Sequence, residues 1–389
     1  MTALPPAMLL GPGFLGAWAR PVGVRASASF GAGEAAAVFP ALSRLAAGLR
    51  PGGIAAGFIG YEAAMGLEPG LVLPEPPPHE GRAAPLASFA LFEGWETATP
   101  PSVADDIAAA RLPGEGADAY KGKLARIVSA IGEGDLFQAN LSRRLSASLP
   151  KDASGEALFA RLMSGTDAPF AARIAGEGWE VLSASPELFL RVEDGVALAE
   201  PIKGTRGRGA TPEADAALAA ALEADEKDRA ENVMIADLMR NDLSKVARDH
   251  GVSVPKLCEL RTLPRVHHLV SQVRAALRDD QGPAEAAAAC YPCGSITGAP
   301  KLAAMQLIAR LEGEGRGPYC GTVFCVPHDG PAVFSVAIRT GLLLRGKETA
   351  RLDVRAGGGV TILSDPEAEW AETVDKAYPF SLMTGLSGA

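Results

Sequence analysis

Two acidic segments, a lysine ahead of a glycine-rich turn, and an arginine among apolar neighbours are the features of this 389-residue chain whose spacing could do chemistry. In DEKDRAENVMIADLMRND, helical spacing puts Glu231 at the centre of the face carrying Met234, Ile235 and Leu238, with Asp228 one turn earlier and Arg240 opposite. A carboxylate inside an apolar stripe is costly unless something pairs with it. In SDPEAEWAETVDK, Asp365 reads as an N-cap and Pro366 as the first helical residue. Glu369 and Glu372 then share a face, while Trp370, Val374 and Ala377 suit the core. A buried ion pair would account for Glu231, and an exposed i,i+4 pair with Lys376 for Glu372. Together, the two acidic pairs could hold a hard, oxygen-liganded divalent cation such as Mg2+, with positions left for an anionic substrate and water.

Lys203, in AEPIKGTRGRG, is either a surface charge or a nucleophile. GSITGAPK places Ser295 and Thr297 ahead of a helix that starts near Pro300, a candidate anion site that lacks the spacing of a phosphate loop. Arg339 sits in the strand-like run FSVAIRTGLLL and could grip a carboxylate, or form a salt bridge at a sheet edge. The glycines 357–359 would let backbone approach a ligand. His267 and His268 lie in another strand-like run, so one of them faces inward. GPGFLG, at 11–16, matches a dinucleotide fingerprint only as a string, without the strand and helix that the motif requires. Cys290 and Cys293 form a CxxC, but alternation points Cys320 and Cys325 to opposite faces. Buried thiols are therefore expected, and zinc is not.

The elements that must position these groups arrive as hairpin-like strand pairs, among them GWEVLSAS, GTVFCV and ARLDVRAGGGVTIL. Helical stretches such as EADAALAAALEADEKDRAENVMIADLMRND and GAPKLAAMQLIARLEG stand between them. That order predicts an α+β protein with large antiparallel sheets. The proline-rich 73–85 and the ARLPGEGADAY boundary suggest an N-terminal region 1–112 and a catalytic region 113–389, intertwined in one globular unit. A hydrophobic share of 48% with 21% charged residues describes a globular chain, and a net charge of -9 argues against nucleic acid as a partner. No apolar run approaches membrane-spanning length, the start lacks a basic leader, and the five cysteines are an odd number. The expectation is a cytoplasmic protein with no membrane partner.

Taken in order, GDLFQANLSRRL, SASPELF, PIKGTRGRG, DRAENVMIADLMRNDL, HHLVS, GSITGAPK, YCGTVF, AIRTG and AGGGVTILSDPEAEWAETVDKA resemble the chorismate-utilising family that includes anthranilate synthase component I, over roughly residues 118–380. The resemblance implies two packed antiparallel sheets with outer helices and Mg2+-dependent attack on chorismate. By motif position it implies Glu231 and Glu372 as principal metal ligands, with Asp228 and Glu369 close by. Thr205, Tyr319, Arg339 and the turn Gly357, Gly358, Gly359 match substrate contacts, and His268 matches the histidine beside the ring. Relatives that add water to chorismate resemble one another in a lysine where this chain has Gln138, which argues against isochorismate or salicylate formation. PIKGT resembles the aminodeoxychorismate synthase component I branch, whereas anthranilate synthases typically read PIAGT. The resemblance then implies that Lys203 attacks ring carbon C2, that Glu187 protonates the departing C4 hydroxyl, and that ammonia enters at C4. A lysine attacks as the neutral amine, which burial favours. Anthranilate or 2-amino-2-deoxyisochorismate formation is the alternative. No Cys-His glutaminase signature is present, so ammonia is expected from a separate glutamine amidotransferase subunit. GFIGYEAAMGLEP resembles the family's GYFGYD region, while MLLGPGF departs from the LLES segment that lines a tryptophan pocket in many relatives.

Overall fold

Alternation along the strand Gln138–Pro150 sends Ala139, Leu141, Leu145, Ala147 and Leu149 into apolar clusters and Gln138, Asn140, Ser142, Arg144 and Ser146 to the opposite face. Both faces are covered, so the polar row is itself interior. The computed structural model containing this strand describes residues 6–102, 107–263 and 266–387. Met1 to Pro5, part of the stretch read for a leader, lie outside the described residues.

Every strand pairing is antiparallel, and together the described strands make one continuous 18-stranded sheet. One half runs from Gln138–Pro150 through Thr349–Val360, Thr340–Arg345, Trp179–Ser185 and Phe170–Gly176 to Ala7–Leu10. The other half runs from Ala19–Phe30 through Ala87–Thr97, Ile54–Ile59, Thr322–Pro327, Ala332–Val336, Leu188–Glu193 and Val196–Ala199 to Val266–Leu277. A single residue pair, Leu10 with Ala19, joins them. The sheet folds back there, and Met8, Phe58, Ala90, Ile174, Trp179, Val323 and Leu344 fill the space between the halves. Phe58 meets Trp179 edge to face across it, with ring centroids 5.4 Å apart. The expected α+β class with two packed antiparallel sheets is therefore present as two halves of one sheet. Among the described residues no helix is long and apolar enough to cross a membrane.

The helices that matter lie outside the sheet. The stretch read as one helix from Glu213 to Asp242 is two, Pro212–Ala224 and Glu226–Ser244, because Asp225 is extended and its carboxylate caps the second helix by accepting the Asp228 N–H at 3.0 Å. Asp365 caps Pro366–Lys376 as its position predicts, accepting the Glu367 and Ala368 N–H groups. Arg339 is not inside a strand: it stands in the break between Ala332–Val336 and Thr340–Arg345, with φ +53°. Gly357 to Gly359 make no turn and belong to the strand Thr349–Val360, paired with Ser142, Leu141 and Asn140. Cys320 and Cys325 fall in different apolar clusters, and all five cysteines are buried and free.

Candidate active site

The strand end at Gly358 and Gly359 is where the chemistry-bearing side chains meet. A Cβ on Gly359 would collide with Gln138 Nε2 and stand 3.4 Å from Lys203 Nζ. One on Gly358 would stand 3.2 Å from both Glu369 Oε2 and Glu372 Oε1. The glycines thus make room for four functional groups rather than for a bend.

Lys203 is placed by a bulge in the strand Ile202–Gly207, whose register against Val266–Leu277 shifts between Lys203 and Thr205. Gly204 makes the bulge with φ +77°, and a Cβ there would stand 2.9 Å from the Asp228 carboxyl carbon, so glycine is required by conformation and by space. Lys203 Nζ comes to rest 3.6 Å from Glu231 Oε2, both side chains largely buried. Glu231 is not at the centre of its helix's buried stripe. That stripe is Asn232, Ile235, Ala236, Met239 and Leu243, because the helix rests on the sheet through Asn232, whose Nδ2 donates to the Leu269 carbonyl. Glu231 lies on the flank, turned to Lys203.

Each proposed metal carboxylate stands by a cation: Asp228 by Arg206 at 3.2 Å, Glu231 by Lys203, Glu369 by Lys227 at 3.9 Å, and Glu372 by Lys376 one turn on. Lys376 also donates to the Gly357 carbonyl at 3.2 Å. As the side chains stand, no three His, Cys, Asp or Glu groups among the described residues are close enough to hold a metal ion. The donors are nonetheless hard oxygens, and Glu369 Oε2 is buried without a hydrogen-bond partner, which fits a divalent cation settling between the two helices. Burial pushes the Glu369 carboxyl up despite the Ser364 hydroxyl, and burial with Asp225 nearby does the same for Asp228.

Glu187 is 8% exposed, and its Oε1 has no partner. Burial raises its pKa, opposed by the Ser295 hydroxyl and the charges of Lys203, Lys376 and Arg339. Gln138 Oε1 is likewise buried and unpartnered. The two histidines divide: His267 is the inward one, held by Thr262 and Asp215 at 2.9 Å each, while His268 places Nδ1 2.9 Å from Thr205 Oγ1 in the cleft. Burial lowers the His268 pKa, against a Gly204 backbone hydrogen bond, and leaves a neutral imidazole. Arg339 lies with its guanidinium over the Tyr378 ring, 5.4 Å from the centroid. Tyr319 stands apart, buried beside Arg316 and lining a small pocket with Thr340 and Pro76. The GSITGAPK segment is buried and tied down by its own hydroxyl, Thr297 Oγ1 donating to the Cys293 and Gly294 carbonyls, so its role is to hold Ser295 beside Glu187.

Sequence reasoning missed Lys227, Ser364 and the Arg143 clamp. Arg143 is buried, stacks over Trp370 at 4.3 Å and donates to Thr373 at 2.8 Å, fixing the helix that carries Glu369 and Glu372 against the strand that carries Gln138. An arginine in a strand of alternating polar and apolar residues was the available signal.

The family described as chorismate binding enzyme matches residues 96–381. An aminodeoxychorismate synthase of Streptomyces griseus is 44% identical over 250 residues, which are 64% of this chain and 34% of that protein. An anthranilate synthase component 1 of Haloarcula marismortui is 40% identical over 274 residues, 70% of this chain and 53% of that one. This chain thus spans about half the length of such relatives or less. The crystal structure of anthranilate synthase component I from Streptococcus pneumoniae superposes with a TM-score of 0.74 at 24% identity, covering 98% of this chain and 91% of that one, a likeness of fold. With the family matched over most of its length and the cleft built from the same segments, the chain belongs to the chorismate-binding enzymes.

Proposed function

We propose that this chain is the synthase component of an aminodeoxychorismate synthase, converting chorismate and ammonia to 4-amino-4-deoxychorismate for p-aminobenzoate and folate synthesis. The observation that carries the reading is Lys203: a buried amine aimed into the cleft between Glu231 and Gly359, where the resemblance places alanine in anthranilate-forming relatives.

Arg339 holds the substrate's carboxylate, and the ring lies at the Gly359 end of the strand Thr349–Val360, beside Lys203 and Gln138. His268, neutral and fixed by Thr205, packs beside the ring. Lys203 Nζ bonds to C2, the two ring double bonds shift, and the C4–O bond breaks. The oxygen leaves as water with a proton from Glu187, whose pKa burial raises. Ammonia then bonds to C4, the double bonds shift back, and the C2–N bond breaks to release Lys203. Mg2+, held by Glu231 and Glu372 with Asp228 and Glu369 close by, would supply positive charge to the substrate carboxylate. The ammonia comes from a glutamine amidotransferase and not from a thiol of these residues: all five cysteines are buried, and burial pushes the thiols of Cys290, Cys293, Cys320 and Cys325 up, away from nucleophilic thiolate.

The test is intact mass of wild type and Lys203→Ala after incubation with chorismate and Mg2+ without ammonia, joined to product analysis with ammonium chloride. A lysine-dependent mass increase and a 4-amino product are expected. Anthranilate formed equally by both proteins would overturn the reading in favour of a 2-amino-forming enzyme.

A further inference from the structure

Glu369 has two oxygens with different fates. Oε1 accepts the Ser364 hydroxyl at 2.6 Å, and Oε2, on a residue only 4% exposed, has no partner and lies beside Glu372 at the Gly358 backbone. Ser364 is itself held: its Oγ accepts the Thr361 N–H at 3.0 Å, and its own N–H donates to the Thr361 carbonyl at 3.1 Å. The hydroxyl has one proton to give. With the Thr361 N–H supplied to its lone pair, that proton is directed to Glu369.

We propose that Ser364 is a positioning residue for the divalent cation of the reaction: by binding Glu369 Oε1 from the closed turn 361–364 it aims Oε2 into the cleft as a ligand held in place before the cation arrives. This rests on the metal reading given under the proposed function. The physical reason is that a glutamate has three rotatable bonds, and a carboxylate free to swing toward the Lys227 ammonium, 3.9 Å from Oε1, would have to be reoriented for every binding event. The turn removes that freedom, and the Arg143–Trp370 stack holds the helix beneath it.

Calorimetric titration of Mg2+ into wild type, Ser364→Ala and Ser364→Thr tests this. The alanine variant is expected to bind Mg2+ about 10- to 100-fold more weakly, the range for losing such an orienting contact. The threonine variant, keeping the hydroxyl, should stay near wild type. In turnover assays the alanine variant should need correspondingly more Mg2+ while reaching a near-normal kcat at saturation, a split that a general loosening of the fold would not produce. Equal Mg2+ affinity in wild type and Ser364→Ala would overturn the role of Ser364 alone. Absence of Mg2+ binding by wild type would overturn the metal reading and this assignment with it.

Discussion

Two polar clusters lie inside this largely apolar chain, and they are wired differently. At the end of the helix Lys301–Glu312, Glu312 accepts from the Ser142 N–H and hydroxyl at 2.8 Å each, from Arg316 at 2.7 and 3.0 Å and from Arg355 at 3.2 Å. Arg355 also reaches Glu314 at 2.6 Å, and Arg144 binds Glu314 at 2.8 Å. In the cleft, by contrast, Lys203 meets Glu231 at 3.6 Å and Lys227 meets Glu369 at 3.9 Å, while Glu187 Oε1, Glu369 Oε2 and Gln138 Oε1 are buried with nothing bound. Burial pushes the Glu312 carboxyl up, yet Arg316 and Arg355 outweigh it and hold the group below its usual range. For Glu187 burial prevails. A buried charge whose valences are filled holds structure together, and one left short of partners is available to a ligand.

The sharpest way to break this comparison is Lys203→Ala. On the covalent reading turnover falls on the order of 10^4-fold or more, as when a nucleophile is removed, while the thermal midpoint stays close to wild type. A rate within tenfold would place Lys203 among the structural ions. Next, Glu187→Gln should cost about 10^2- to 10^4-fold in turnover, the range for a general acid, without loss of stability, since the amide replaces an oxygen that has no partner. Steady-state kinetics beside a urea melt reads both.

The same substitution type in the filled cluster should behave in the opposite sense. Glu312→Ala strands Arg316 and Arg355 and is expected to cost about 3 to 5 kcal/mol of stability, seen as a lower urea midpoint. Where folded protein is recovered, turnover per folded molecule should survive. A melt unchanged by Glu312→Ala would remove the distinction between the clusters.

The smallest expected effect is a pH slope at Glu62, buried beside Arg316 in the segment that resembles GYFGYD. Burial raises its pKa from 4.5 to about 7, although the Arg316 and Gly317 N–H groups pull it down. The folded protein holds this proton more tightly than the unfolded chain does. The stabilisation is therefore complete below pH 4.5 and is lost as pH rises through about 7. Melting temperatures between about pH 5 and 8 should decline more steeply in wild type than in Glu62→Gln. Parallel curves would mean that Glu62 stays ionised in the fold.

Much of this was legible in the chain because short-range rules govern it. Asp365 caps its helix because an extended aspartate before a proline has nowhere better to place its carboxylate, and Glu369 and Glu372 share a face because three residues are nearly one helical turn. Ordered motifs pointed to Gln138, Lys203, Glu369 and Glu372, which the fold gathers at the Gly358 and Gly359 strand end, and to Tyr319, which it keeps apart. What local periodicity misjudged was the rotation of the helix Glu226–Ser244: an ideal wheel centres Glu231 in the apolar stripe, but the helix seats itself through Asn232, Ile235 and Met239. It placed Gly357 to Gly359 correctly within the strand ARLDVRAGGGVTIL, and the turn that the family resemblance implied there is absent. Arg339 appeared to continue a strand because its apolar neighbours on both sides are strands, and only the left-handed backbone at 339 separates them.

The residue types, the helix caps, the antiparallel class and the presence of two acidic pairs were determined by the sequence itself, through forces acting over a few residues. Which carboxylates would be filled and which left short was decided only in three dimensions. Glu312 and Glu187 are both buried glutamates, and one lies within reach of two arginines while the other faces a cleft. Hydrogen-bond partners 43 and 170 residues away in the chain, as Arg355 and Ser142 are from Glu312, follow from the folding of the sheet upon itself and from nothing in the local spacing.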